Sequence, residues 1–167
     1  MSERAAVLKL GLAIALAALV LDQALKAAML GLLPEPGMVR EVTGFFNLVH
    51  VRNTGVSFGM LQSGSDLGPW LLSGFALAVC GALGVWLART DSRLLAAALG
   101  LTIGGALGNV IDRLRFGAVF DFVDLHAFGW HWPAFNLADS AITVGVAGLL
   151  LTSLLAPARG TRVKGRQ

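Results

Sequence analysis

Charge is scarce in this sequence. Asp, Glu, Lys and Arg make up 14% of its 167 residues while 56% are hydrophobic, a balance far more apolar than that of an ordinary soluble domain. With a mean hydropathy of +0.73, a soluble fold of this length has no interior large enough for so much apolar surface. There is one cysteine, Cys80; it excludes an intramolecular disulfide and reads as a small apolar core residue. His50, His126 and His131 show neither paired spacing nor cysteine companions, so no zinc pattern is present. A phosphate-cradling glycine loop, a GxSxG elbow and an internal repeat are also missing. The net charge of +3 is not gathered into a stacked basic and aromatic patch, which argues against nucleic acid as a partner.

What is present is four long apolar runs: residues 10–33, interrupted by Asp22 and Lys26; 67–88, free of charge; 94–111, also uncharged; and 137–156, with Asp139 near its start. About 20 helical residues cross the ~30 Å hydrocarbon core of a bilayer, and a helix satisfies its own backbone where water is absent. The reading is an all-α membrane protein: one integral domain over 1–167, with helices at about 10–33, 67–88, 94–113 and 137–156. Arg4 and Lys9 before the first run resemble the start of a cleaved signal peptide. However, Asp22 and Lys26 fall where a small-residue cleavage site belongs, so a retained helix is expected. Arg4, Lys9, Arg89, Arg93, Arg159, Arg162, Lys164 and Arg166 flank one side of an alternating bundle, which the positive-inside rule makes cytoplasmic together with both termini. Most acids lie toward the other side, where function is expected.

The extracytoplasmic segments, 34–66 and 114–136, are more than linkers. "FFNLVHV" follows the breaker "PEPG", and "AVFDFVDLHAF" alternates in the manner of a strand. In a strand, Val119, Asp121, Val123 and Leu125 share one face and Phe120, Phe122, Asp124 and His126 the other. A small β-sheet on the outer surface is expected, with Phe45, Phe46, Phe58, Trp70, Trp130 and Trp132 at the membrane interface. Gly104 with Gly108, and Gly81 with Gly84, are read as points of close helix approach.

Polar residues in or beside the runs carry the chemistry. Asp22 and Lys26 are four apart on one helical face, in the order that favours an ion pair; they serve either as a structural pair or as a substrate contact. Asn109 and Arg113, also four apart, are either helix-packing and ion-pairing residues or donors aimed at substrate carbonyls or a lipid headgroup. In the structural alternative Asp112 pairs with a nearby arginine. Asn136 and Asp139 suit a helix N-terminus. Asp121 changes the weighing, because the connection between antiparallel third and fourth helices returns it to the surface where Asp139 sits. Two carboxylates a few ångströms apart cannot both ionise comfortably, and that asymmetry suits acid–base hydrolysis without serine, cysteine or metal. A proton-coupled transporter is the rival class, but the acids crowd one side, and broken helices and inverted repeats are not seen. A purely structural assembly factor is the third reading.

"DQALK" at 22–26, "NTGVSFG" at 53–59, "GGALGNVIDR" at 104–113, "VFDF" at 119–122 and "FNLADSAI" at 135–142 resemble, in order, the signature blocks of the lipoprotein signal peptidase (signal peptidase II) family. Val56, Ser57 and Phe120 depart from the family pattern and bear on pocket shape. The resemblance implies four transmembrane helices with a periplasmic β-cradle in the bacterial inner membrane and no cofactor or metal. It implies Asp121 and Asp139 as an aspartyl catalytic pair. Asn53, Asn109, Arg113 and Asn136 would line the substrate pocket, and Asp22, Lys26 and Asp112 would support it. The substrate would be a diacylglyceryl-modified prolipoprotein reaching the enzyme through membrane lipid and cut just before its lipidated cysteine, and a monomer is expected. A lid over residues 57–68, hinged at Gly64 and Gly68, would exclude water.

Overall fold

The computed structural model describes residues 3–55 and 67–155. Four helices and four strands follow in the order α1 (Glu3–Leu32), β1 (Val39–Thr43), β2 (Phe46–Asn53), α2 (Leu67–Arg89), α3 (Arg93–Phe116), β3 (Val119–Ala127), β4 (Trp130–His131) and α4 (Leu137–Leu155). All four helices are long and apolar enough to cross a membrane. The expected spans hold to within a few residues except at the start of α1, which begins at Glu3 where a span near residue 10 is expected, because nothing before Leu10 breaks a helix.

Local signals set the ends. Ser92 caps α3 by accepting the Leu95 N–H at 3.3 Å, and Gly117, at φ 69°, closes its other end with its N–H on the Arg113 carbonyl. Pro34 follows the last turn of α1, where a helix cannot continue.

α3 is the central helix, packed against α1, α2 and α4. Glycine makes this possible. A Cβ on Gly100, Gly104 or Gly108, spaced by four on one face, would strike the Gly11 carbonyl, the Ala15 carbonyl or the Asp22 carboxylate of α1. One on Gly105 would strike the Ala138 carbonyl of α4. Gly104 and Gly108 thus act as expected, whereas a Cβ on Gly81 or Gly84 would meet no described residue within 4 Å, so neither is a point of close helix approach. At the other end, Val7, Leu87, Ala96 and Leu99 close the bundle.

The sheet is antiparallel, in the order β1-β2-β3-β4. It caps the bundle end that holds the C-termini of α1 and α3 and the N-terminus of α4. The expected two-faced β3 is only partly realised. Val119 through Phe122 are all buried, because this half of the strand is covered on both sides, and exposure begins at Leu125. Phe45, Trp70, Trp130 and Trp132 are more than half exposed; Phe46 is partly buried, and Phe58 lies outside the described residues. Gly68, expected as a hinge, is buried in the first turn of α2; Gly64 and residues 57–66 of the expected lid lie outside the described residues.

Candidate active site

Asn136 shows why this sequence folds locally as it does. Its side-chain oxygen accepts the Asp139 N–H at 3.0 Å, and the Asp139 carboxylate accepts the Asn136 N–H at 3.1 Å. This reciprocal box satisfies orphan donors at the start of α4. With its oxygen committed, the amide must present its N–H group elsewhere, and it donates to Asp121 at 2.7 Å. The approach is fixed by residue 135, whose backbone bonds to β3 through Phe122 N, Val123 N and Val123 O.

Two further amides are oriented the same way. The Asn53 oxygen accepts the N–H of Gly55, which turns at φ +78°, so the Asn53 amide N–H points at Asp121 at 3.0 Å. The Asn109 oxygen accepts from the Lys26 ammonium at 3.1 Å and from Asn136 at 3.2 Å, and its N–H reaches Asp139 at 2.8 Å. Asp121 and Asp139 are therefore joined by a relay of two amides, Asn136 and Asn109. Cap and site turn out to be one structure.

Beneath them lies a buried charge network. Lys26 bridges Asp22 and Asp112 at 2.8 Å each. Asp22 accepts the Ala138 N–H at 2.9 Å and Asp112 accepts the Phe120 N–H at 3.1 Å. Those backbone groups immediately precede Asp139 and Asp121, so one ammonium sets the position of both acids. The expected Asp22–Lys26 ion pair is present and buried. Asp112 pairs with this lysine and not, as expected, with an arginine. Gln23 escaped the sequence reading although it stands inside "DQALK"; it donates toward Asp22, Asp112 and the Gly108 carbonyl at 3.1–3.2 Å.

The two acids differ in setting. Asp121 is 1% exposed. Burial raises its carboxyl from the ordinary 3.8 to about 6, and the Asp139 charge adds to the rise, while the Asn53 and Asn136 amides and the Lys26 charge hold it back. Asp139 is only half-buried and opens on a cavity of about 390 Å³ that it shares with Trp132, Phe135, Ser140, Thr143 and Val144. Arg113 is attracted by Asp139, Asp112 and Asp121, but among the described residues it forms no ion pair and its buried Nε has no hydrogen-bond partner. Among the described residues no cluster of three or more His, Cys, Asp or Glu side chains could hold a metal ion.

A family model described as "Signal peptidase (SPase) II" matches residues 14–155. The chain belongs to the signal peptidase II family. A lipoprotein signal peptidase of Methylobacterium sp. (strain 4-46) is 53% identical over 152 residues, covering 90% of this chain and 92% of that protein. One from Caulobacter vibrioides is 49% identical over 145 residues, covering 86% and 85%. Two solved structures described as bacterial membrane enzymes superpose with TM-scores of 0.76 and 0.77 at 28% and 30% identity. They cover 93% and 87% of this chain and 94% and 93% of their own. This signal peptidase II is thus a multi-pass bacterial membrane peptidase, and the resemblance carried by the five sequence blocks holds at the level of family and fold.

Proposed function

We propose that this peptidase is an aspartyl endopeptidase that removes the signal peptide of a diacylglyceryl-modified prolipoprotein by cutting immediately before the lipidated cysteine. The convergence of Asp121 and Asp139 on one amide relay carries the catalytic part of this reading. The relatives named lipoprotein signal peptidase support the substrate.

Asp139 is the base. It faces the cavity, where water can reach it, and its carboxylate accepts two N–H donors at the start of α4. Asp121, almost wholly buried, retains the shared proton. Asp139 takes a proton from water as the water oxygen attacks the peptide carbonyl. Asp121 hydrogen-bonds the developing oxyanion and then protonates the leaving nitrogen, and transfer from Asp139 restores the starting state. Arg113, with donors to spare, receives substrate carbonyls; Asn53, Asn109 and Asn136 line the pocket and hold the carboxylates. The positive-inside rule puts both termini in the cytoplasm and the acids on the outer side, where a signal helix can arrive through the bilayer. The chain acts as a monomer.

Cleavage of a purified diacylglyceryl-modified prolipoprotein in detergent tests this. Asp121→Asn and Asp139→Asn should each lose about 10³-fold or more in rate, the range of acid–base contributions, and EDTA should leave the wild-type rate unchanged. Full activity in either variant rejects the pair, and inhibition by EDTA points to a metal.

A further inference from the structure

Phe116, the last residue of α3, has two cations against its ring. The Arg52 guanidinium carbon lies 4.8 Å from the ring centroid and that of Arg115 5.0 Å, which keeps the charges within about 10 Å of each other. Such charges repel unless an anion joins them, and among the described residues no carboxylate forms an ion pair with either. Arg115 has an ordinary explanation in the last turn of a helix, where the dipole favours a cation. Arg52, on a strand, has none.

Arg52 is instead braced from behind. Its Nε donates to His50 Nε2 at 3.0 Å, so that ring carries its hydrogen on Nδ1 and donates it to the Leu33 carbonyl at 2.8 Å. His50 is 1% exposed. A buried ring tied to the end of α1 thus occupies one edge of the guanidinium and leaves its two terminal nitrogens for another acceptor. Both arginines are exposed. Side chains alternate along a strand, so Arg52 projects from the face opposite Asn53, the residue that reaches Asp121. The patch is therefore separate from the catalytic acids. Its depth follows from α3, whose 24 residues extend ~36 Å against a hydrocarbon core of ~30 Å. Phe116 ends at headgroup level.

We infer that Arg52 and Arg115, held on Phe116, form a binding site for a phosphate group, supplied by the phosphodiester headgroup of a membrane phospholipid. Planar guanidinium forks match phosphate oxygens, and a pair of them placed at a leaflet boundary suits an anionic headgroup. The bound lipid would anchor the junction of β2 and α3 next to the catalytic end.

Native mass spectrometry of the full-length protein in phosphate-free detergent tests this with phosphatidylglycerol, dioleoylglycerol and inorganic phosphate as probes. Wild type should retain phosphatidylglycerol, and any dioleoylglycerol held in the substrate pocket should be retained equally by wild type and variants. Affinity for phosphatidylglycerol should fall about fivefold in Arg52→Gln or Arg115→Gln and about 25-fold in the double variant. Prolipoprotein cleavage in detergent should stay unchanged and reports folding; should the double variant not fold, Arg115→Gln alone reads the same fivefold. Displacement of the lipid by millimolar phosphate would keep the phosphate site but assign it to a soluble source. Equal retention of phosphatidylglycerol by wild type and variants, or an equal loss of dioleoylglycerol in the variants, overturns the inference.

Discussion

Asn136 illustrates how one side chain serves structure and chemistry together. Capping commits its oxygen, and that commitment aims its N–H group at Asp121. Asparagine at the start of an apolar helix is legible as a cap in any sequence; that the other half of the amide meets an aspartate from a strand is not, because it depends on how residue 135 pairs with β3. The same limit applies to Asp121, whose raised carboxyl follows from tertiary burial. Its proton is present below about pH 6 and lost above it. If Asp121 is the acid, kcat/KM should decline about tenfold per pH unit once the pH passes 6, as a pH–rate profile with a lipidated substrate would record. A flat profile from pH 5 to 8 would remove Asp121 from that role.

At the scale of elements, the contact of α3 with α1 and α4 rests on glycine, and it extends to Ala138, the residue before Asp139. Gly105→Ala would press a methyl group into the Ala138 carbonyl and the Ile142 side chain. Displacing α4 should cost about 1–3 kcal/mol and slow cleavage, since Asp139 moves with Ala138. Gly81→Ala is the control. Its new methyl meets nothing, and greater helix propensity should leave stability equal or about 1 kcal/mol higher; SDS unfolding titrations distinguish the two. The sequence shows small residues at helical spacing in both places, and only the packing separates a contact face from a lipid-facing one. The β-segments were legible as alternating, aromatic stretches bounded by breakers. The doubly covered start of β3 was not, because alternation reports one buried face and says nothing of what covers the other.

Across the whole molecule, the Asp22–Lys26–Asp112 network joins α1, α3, β3 and α4 at the level of the two acids. Lys26→Met removes the only cation within ion-pair reach of two buried carboxylates among the described residues. An uncompensated buried charge of this kind should cost about 3–5 kcal/mol, measured in the same SDS titration, with cleavage lost as Ala138 and Phe120 lose their anchors. Topology is tested by cysteine labelling in a Cys80→Ala background: Phe128→Cys should react with an impermeant maleimide in spheroplasts, and Ser92→Cys only after lysis. Reaction of both in intact spheroplasts would reject the proposed orientation. Hydropathy and run length alone determined a four-span membrane bundle, since transfer free energy is a property of residues and needs no knowledge of neighbours. The pairing of Asp121 with Asp139 through Asn136 and Asn109, and the lysine beneath them, were decided by tertiary structure, because those contacts join segments distant in the chain whose distances arise only when helices and sheet dock.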